Sequence, residues 1–153
     1  MNKKLQDQLI KKAAEAAEKS YAPYSKFHVG AALLVAGKKC IITGGNVENA
    51  SFGLTICAER AALAAAVSAG HRRFEAIAVA ASGTQASPTR RREALWRSAG
   101  RGKPVVPCGA CLQALAEFCK PDLIVLVASA IRPDKIKIFK LRDLLPHAFR
   151  FWP

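Results

Sequence analysis

The order of hydrophobic patterns along this chain predicts an α/β fold, a three-layer α-β-α sandwich around a mixed five-stranded sheet. Two observations carry that expectation. Segments with the spacing of amphipathic helices alternate with apolar runs of strand length, in the order helix, two strands, helix, strand, helix, two strands. The 153 residues, 51% of them apolar, also suffice for a core that needs no disulfide. Residues 1–153 therefore read as a single domain, with a basic insertion at about 82–103.

Each element has a local reason. A first helix is expected over residues 3–19, where Leu5, Leu9, Ala13, Ala16 and Ala17 share one face and lysines and glutamates fill the rest. Pro23 breaks it, because proline disfavours helix at the residue before it. Residues 27–35 look extended, Gly37 supplies a turn, and residues 39–43 return as the partner strand. Gly44 and Gly45 read as loosened backbone ahead of Asn46. Alanine density over residues 57–69 favours a second helix, closed by Gly70. Residues 74–80 read as a mostly buried strand.

The stretch 82–106 differs in kind. Its prolines, glycines and an arginine run including Arg90, Arg91 and Arg92 mark a surface excursion, with a short helix beginning at Pro88. A third helix follows over 108–118, then an apolar strand over 123–128. An edge strand over 135–140 has one wet face, and a helical turn over 141–145 stops at Pro146.

Charge and cysteine usage narrow the setting. Lys+Arg number 24 against 11 Asp+Glu, a net charge of +13, so the surface attracts nucleic acid and other anions without choosing among them. The basic start is followed at once by Gln6, Asp7 and Gln8, so no apolar signal core develops. The longest strongly apolar run, 29–37, is far short of the roughly 20 residues a spanning helix requires. A cytoplasmic protein without a membrane role is expected. The cysteines, Cys40, Cys57, Cys108, Cys111 and Cys119, are odd in number, which points to thiolate or metal chemistry and away from a disulfide framework.

That chemistry concentrates at two expected helix starts. Cys108 and Cys111 stand at i and i+3, where a helix brings them to one face able to share a metal. A thiol at a helix N-terminus ionises more readily because free N–H groups favour the anion. With Cys57 as a third ligand, one tetrahedral position of Zn²⁺ stays open, as in a catalytic site. Glu59 then suits acid/base work, because ligation would close that position; it reaches the site only if Cys57 sits at the very start of its helix. Arg60 can offset part of the thiolate charge. A lone C-x-x-C equally fits a redox pair, and Cys40 and Cys119 read as core or surface thiols. His28, His71 and His147 have no ligand spacing and read as structural or surface residues.

Cys-x-Glu opening one helix and Pro-Cys-x-x-Cys opening the next is a signature of zinc deaminases. The chain resembles the small, homotetrameric cytidine deaminases that act on free nucleosides. The likeness runs from Tyr21 to Phe149 through Tyr21-Ala22-Pro23-Tyr24-Ser25-Lys26-Phe27, Asn46-Val47-Glu48-Asn49, Thr55-Ile56-Cys57-Ala58-Glu59-Arg60 and Pro107-Cys108-Gly109-Ala110-Cys111 with Gln113. It implies zinc on Cys57, Cys108 and Cys111, one ion per subunit, with Glu59 shuttling protons and Arg60 tempering the thiolates. It further implies that Asn46 and Glu48 hold the ribose, that Phe27 packs on the pyrimidine and Ala58 contacts the substrate, and that Phe149 completes a neighbouring subunit's pocket. Taken alone, Asn46 and Glu48 would read as a turn amide and a solvated carboxylate. The implied reaction is hydrolytic deamination of cytidine and 2′-deoxycytidine in pyrimidine salvage.

Two departures stand out. The family usually carries Arg directly after the last zinc cysteine, where this chain has Leu112, so Arg60 would compensate charge alone. The basic insertion is longer than the family normally carries; it reads as a solvated loop, with RNA or an anion, and Trp96 as a stacking face, the other reading. The alternatives in function are a deaminase of a related aminonucleoside antibiotic, or a deaminase-fold protein that binds or edits RNA.

Overall fold

The computed structural model describes residues 1–83, 105–130 and 134–151. From residue 84 onward the expected insertion, with its helix at Pro88, its arginines and Trp96, lies outside the described residues. The described elements are α1 (Lys3–Glu18), β1 (Phe27–Val35), β2 (Ile41–Gly45), a short 3₁₀ turn (Phe52–Leu54), α2 (Ala58–Ser68), β3 (Phe74–Gly83), α3 (Gly109–Phe118), β4 (Ile124–Ser129), β5 (Lys137–Lys140) and α4 (Leu141–Leu144). The strands form one mixed sheet in the order β2-β1-β3-β4-β5. β3 and β4 run parallel, and the other neighbours are antiparallel.

Strand alternation divides the core in two. Ala32 and Leu34 of β1, Ala76, Ala78 and Ala80 of β3 and Leu126 of β4 face α1, packing on Leu9, Ile10 and Ala13. The intervening residues, Ala31, Leu33, Ile77, Val79, Val125 and Val127, face the other way, against Ala62, Leu63 and Ala66 of α2 and Leu112, Leu115 and Ala116 of α3. Among the described residues the expected three layers are present, with α1 on one face and α2, α3 and the short α4 on the other. α1 begins where Asn2 accepts the Leu5 N–H at 3.0 Å, an N-cap that satisfies one of the free amides of the first turn.

Two expectations need correction. Gly44 and Gly45 are not loosened backbone; they end β2, paired with Ala31 and Gly30, and the return strand is shifted to Ile41–Gly45. The reason is close packing. A Cβ on Gly44 would lie 2.4 Å from the Ala62 amide nitrogen, and one on Gly30 would lie 2.0 Å from the Ala13 carbonyl oxygen. Lacking side chains, these glycines let α2 and α1 press against opposite faces of the sheet. β3 also continues past Ala80 to Gly83, taking Ser82 and Gly83 out of the insertion, because β1 offers partners as far as His28 and Phe27.

This register positions the site. Phe27 pairs with Gly83 and Gly30 with Gly45, so the start of β1 and the ends of β2 and β3 share one end of the sheet. From that end the chain enters α2 after β2 and α3 after β3. Bridges from Val47 to Tyr21 and Ile56 tie the intervening loop in place. Among the described residues, no helix is long and apolar enough to cross a membrane.

Candidate active site

Cys57 is the N-cap of α2 (φ −70°, ψ 151°) and Cys108 the N-cap of α3 (φ −71°, ψ 164°), both in extended conformation. Each spends its carbonyl on the first helical turn, accepting from Ala61 at 3.0 Å and Leu112 at 2.9 Å. Cys111 lies in the first turn of α3. The three sulfurs all lie within 4.8 Å of one another, and Cys108 Sγ is 3.5 Å from Cys111 Sγ. Cys57 thus stands at the start of its helix, the condition set for Glu59 to reach the cluster.

Glu59, in the first turn of α2, is buried at 5% exposure. Burial raises its carboxyl pKa, against a downward pull from its own backbone amide, the Cys111 thiol and Arg60. Such a group holds its proton closer to neutrality than an exposed glutamate, which is what a proton shuttle requires.

The thiols differ among themselves. Burial raises Cys57 and Cys111, and for Cys111 the Glu59 charge adds to it. Cys108 is lowered: burial opposes this, but hydrogen bonds from the Cys111 amide and from the neighbouring thiols outweigh it. The chain by itself therefore does not sustain three thiolates, and a soft divalent cation is the partner that would. Arg60 fits the same conclusion. Its Nη2 donates to the Thr55 carbonyl at 3.1 Å, while its buried Nε has no hydrogen-bond partner. Contact with Cys57 is the largest influence raising its pKa, so this fixed cation lies where thiolate charge would form. Leu112 packs into the apolar core beside α2.

The residues that the resemblance assigns to the nucleoside have partners of their own. Asn46 is buried at 7% exposure; its Oδ1 accepts the Val29 N–H at 2.8 Å and its Nδ2 donates to the Phe27 carbonyl at 3.0 Å. Glu48 accepts the amides of Tyr24 at 2.9 Å and Ser25 at 3.2 Å, and also the Ser25 hydroxyl. Glu48 therefore clamps the segment leading into β1 and Asn46 the start of β1 itself, a role the spacing did not reveal. Phe27 is half-buried at the first position of β1. The side chain of Ala58 is fully buried in the core, so only its backbone is available to a ligand. Phe149 is 70% exposed as a residue, while its backbone is held by the Gln113 side chain.

Sequence reasoning missed Ser25, which holds Glu48, and the carbonyl of Thr55, which holds Arg60; both stand inside the quoted motif blocks, but only contacts across the loop disclose them. Cys119 is buried, its thiol pushed up to about 12 by burial despite a downward pull from Arg150, and Cys40 is half-buried with its sulfur 4.0 Å from His71 Nε2. Neither belongs to the cluster. His28 bonds Ser20 Oγ at 2.7 Å. A cavity of about 520 Å³ lined by residues including Leu5, Phe74, Glu75 and Phe118 opens at the opposite end of the sheet, away from the thiols.

An α/β sandwich that offers three thiols and a buried carboxyl at two adjoining helix starts has the architecture of a metal-assisted deaminase. Residues 3–127 match the family described as the cytidine and deoxycytidylate deaminase zinc-binding region. The cytidine deaminase of Halalkalibacterium halodurans is 45% identical over 141 residues, 92% of this chain and 91% of that protein. The crystal structure of cytidine deaminase from Burkholderia pseudomallei superposes with a TM-score of 0.75 at 40% identity, covering 97% of this chain and all of the other (100%). That from Mycobacterium tuberculosis gives 0.70 at 36% identity, covering 95% and 97%. The chain belongs to the cytidine and deoxycytidylate deaminase family, whose matched region binds zinc, and its three-sulfur donor set fits that ion.

Proposed function

We propose that this protein catalyses the hydrolytic deamination of cytidine and 2′-deoxycytidine to uridine and 2′-deoxyuridine, releasing ammonia. The observation that carries the reading is the convergence of Cys57, Cys108 and Cys111 within 4.8 Å, beside the buried Glu59. These thiols would hold one zinc ion per subunit, which when bound acts as a Lewis acid and lowers the pKa of water towards ~7.

The remaining work falls to the chain. Glu59, whose burial raises its carboxyl pKa, gives a proton to N3 of the pyrimidine as C4 is hydrated. Its carboxylate then takes the proton of the new C4 hydroxyl and passes it to the exocyclic amine, so that the C4–N bond breaks, ammonia leaves and C4 becomes a carbonyl. Arg60 offsets thiolate charge. Asn46 and Glu48 serve the ribose with the capacity left after clamping β1: the amide keeps one lone pair and one N–H, and the carboxylate one free acceptor position. Phe27 packs on the base, and Ala58 offers backbone.

Exposed Tyr24, Phe52, Leu54 and Ile56 surround this end, and with Phe149 they support a homotetramer with pockets shared between subunits. The protein would act in the cytoplasm, in pyrimidine salvage. Absorbance loss as cytidine becomes uridine, followed with and without a chelator, tests the reading. Matching ammonia release, abolished by chelation and restored by zinc, is expected; an inert enzyme on both nucleosides would overturn it. The +13 charge favours a second reading, RNA binding, which a steep salt dependence of RNA retention would reveal.

A further inference from the structure

Beyond α4 the chain returns to α3 and is tied to it at two places, midway along the helix and at its C-terminal cap. Gln113, in the first half of α3 just after Cys111, donates from Nε2 to the Phe149 carbonyl at 2.8 Å. Its Oε1 accepts the Phe149 N–H at 3.0 Å. One side-chain amide thus satisfies both backbone groups of a single residue, as a neighbouring strand would. Farther along, Arg150 Nη2 donates to the Cys119 carbonyl at 3.5 Å.

Phe149 is 70% exposed as a residue, so burial within its own chain does not set the direction of its ring. Its Cα–Cβ bond is directed by its backbone, and the Gln113 clamp fixes that backbone. Gln113 itself is half-buried and belongs to neither core cluster, whereas Leu112, Leu115 and Ala116 anchor α3. Its amide is therefore not needed to hold α3 on the sheet.

We propose that Gln113 is a positioning residue that sets how Phe149 presents its ring to the nucleoside pocket of a neighbouring subunit, coupling α3 of one subunit to the aromatic wall of the next. The assignment rests on the deaminase reading above. Its chemistry requires an amide: leucine supports neither bond, and glutamate accepts the N–H but has no donor for the carbonyl.

The test is steady-state kinetics on cytidine with full-length enzyme loaded with zinc. Gln113→Leu is expected to raise KM about fivefold to tenfold, the effect of losing two solvent-accessible hydrogen bonds, with kcat within about twofold and zinc content unchanged. Gln113→Glu should fall between Leu and wild type, and it carries the test if the leucine variant does not fold. Phe149→Leu should raise KM as well, and adding Gln113→Leu to it should change little more, since both remove one element. Wild-type KM in Gln113→Leu, KM effects that simply multiply in the double variant, or a parallel loss of zinc would overturn the assignment while leaving the deaminase reading intact. A wild-type enzyme that releases no ammonia from cytidine would instead sink that reading, and this assignment with it.

Discussion

Asn46 and Glu59 are two buried polar side chains at the same end of the sheet, with 7% and 5% exposure, and they are provisioned in opposite ways. Asn46 has backbone partners that cannot change protonation: the Val29 amide and the Phe27 carbonyl. Glu59 is surrounded by ionisable groups, a thiol and a guanidinium, and burial holds its carboxyl above the usual range. A buried polar group paired to backbone is a strut, whereas one left among titratable neighbours keeps its chemistry available. The same contrast separates the satisfied carboxylate of Glu48 from the three thiols, whose joint ionisation calls for a cation from outside the chain.

Substitutions can break that contrast, and they should differ in what they remove. Cys108→Ala should have the largest effect, losing the metal and with it all turnover; elemental analysis still finding one zinc per chain would count against this ligand. Glu59→Ala should lower kcat by at least roughly 10²–10⁴-fold. Because the carboxyl is not assigned as a ligand, that variant should keep its zinc. A near-normal rate would remove Glu59 from the proton path.

Asn46→Ala tests the strut. It orphans the Val29 amide and the Phe27 carbonyl, each costing about 1–3 kcal/mol if left buried and unpaired. The melting temperature should fall clearly, and KM should rise as the start of β1 loosens. A variant as stable as wild type would show that water replaces the amide without loss.

Glu48 should give the smallest effect. Its partial desolvation raises the carboxyl pKa, but the hydrogen bonds from Ser25 and Tyr24 prevail and hold it below the ordinary range. A lowered folded-state pKa means stabilisation present above the unfolded value of about 4.3 and lost as pH falls through the folded value. Wild type should therefore lose more melting temperature on acidification below about pH 4.3 than Glu48→Gln does, by a modest margin because the group is partly solvated. Parallel melting curves for the two proteins would show that the clamp contributes nothing to stability.

Much of the architecture was legible in the chain because it follows from local spacing. The periodicity of Leu9, Ala13 and Ala17 defined α1, and the apolar runs over 27–35 and 74–80 marked β1 and β3. The positions of Cys57, Glu59, Cys108 and Cys111 placed the chemistry at helix starts. The resemblance carried by the motif blocks supplied the family, which the comparisons bear out. Locally, Gly44 and Gly45 looked like loosened chain; they are strand because helix backbones approach them from elsewhere, which no window of neighbouring residues contains.

The sequence by itself determined the elements, the family and the residue types available for chemistry, because periodicity, capping position and motif spacing are properties of short stretches. Tertiary structure alone decided which polar groups are already occupied and which remain free to react. Asn46 and Glu48 turn back to clamp residues 24–29, and Gln113 reaches Phe149 across the α3–β4–β5 segment. The physical reason is that a hydrogen bond or a pKa shift depends on atoms brought close by folding, and those atoms are distant along the chain.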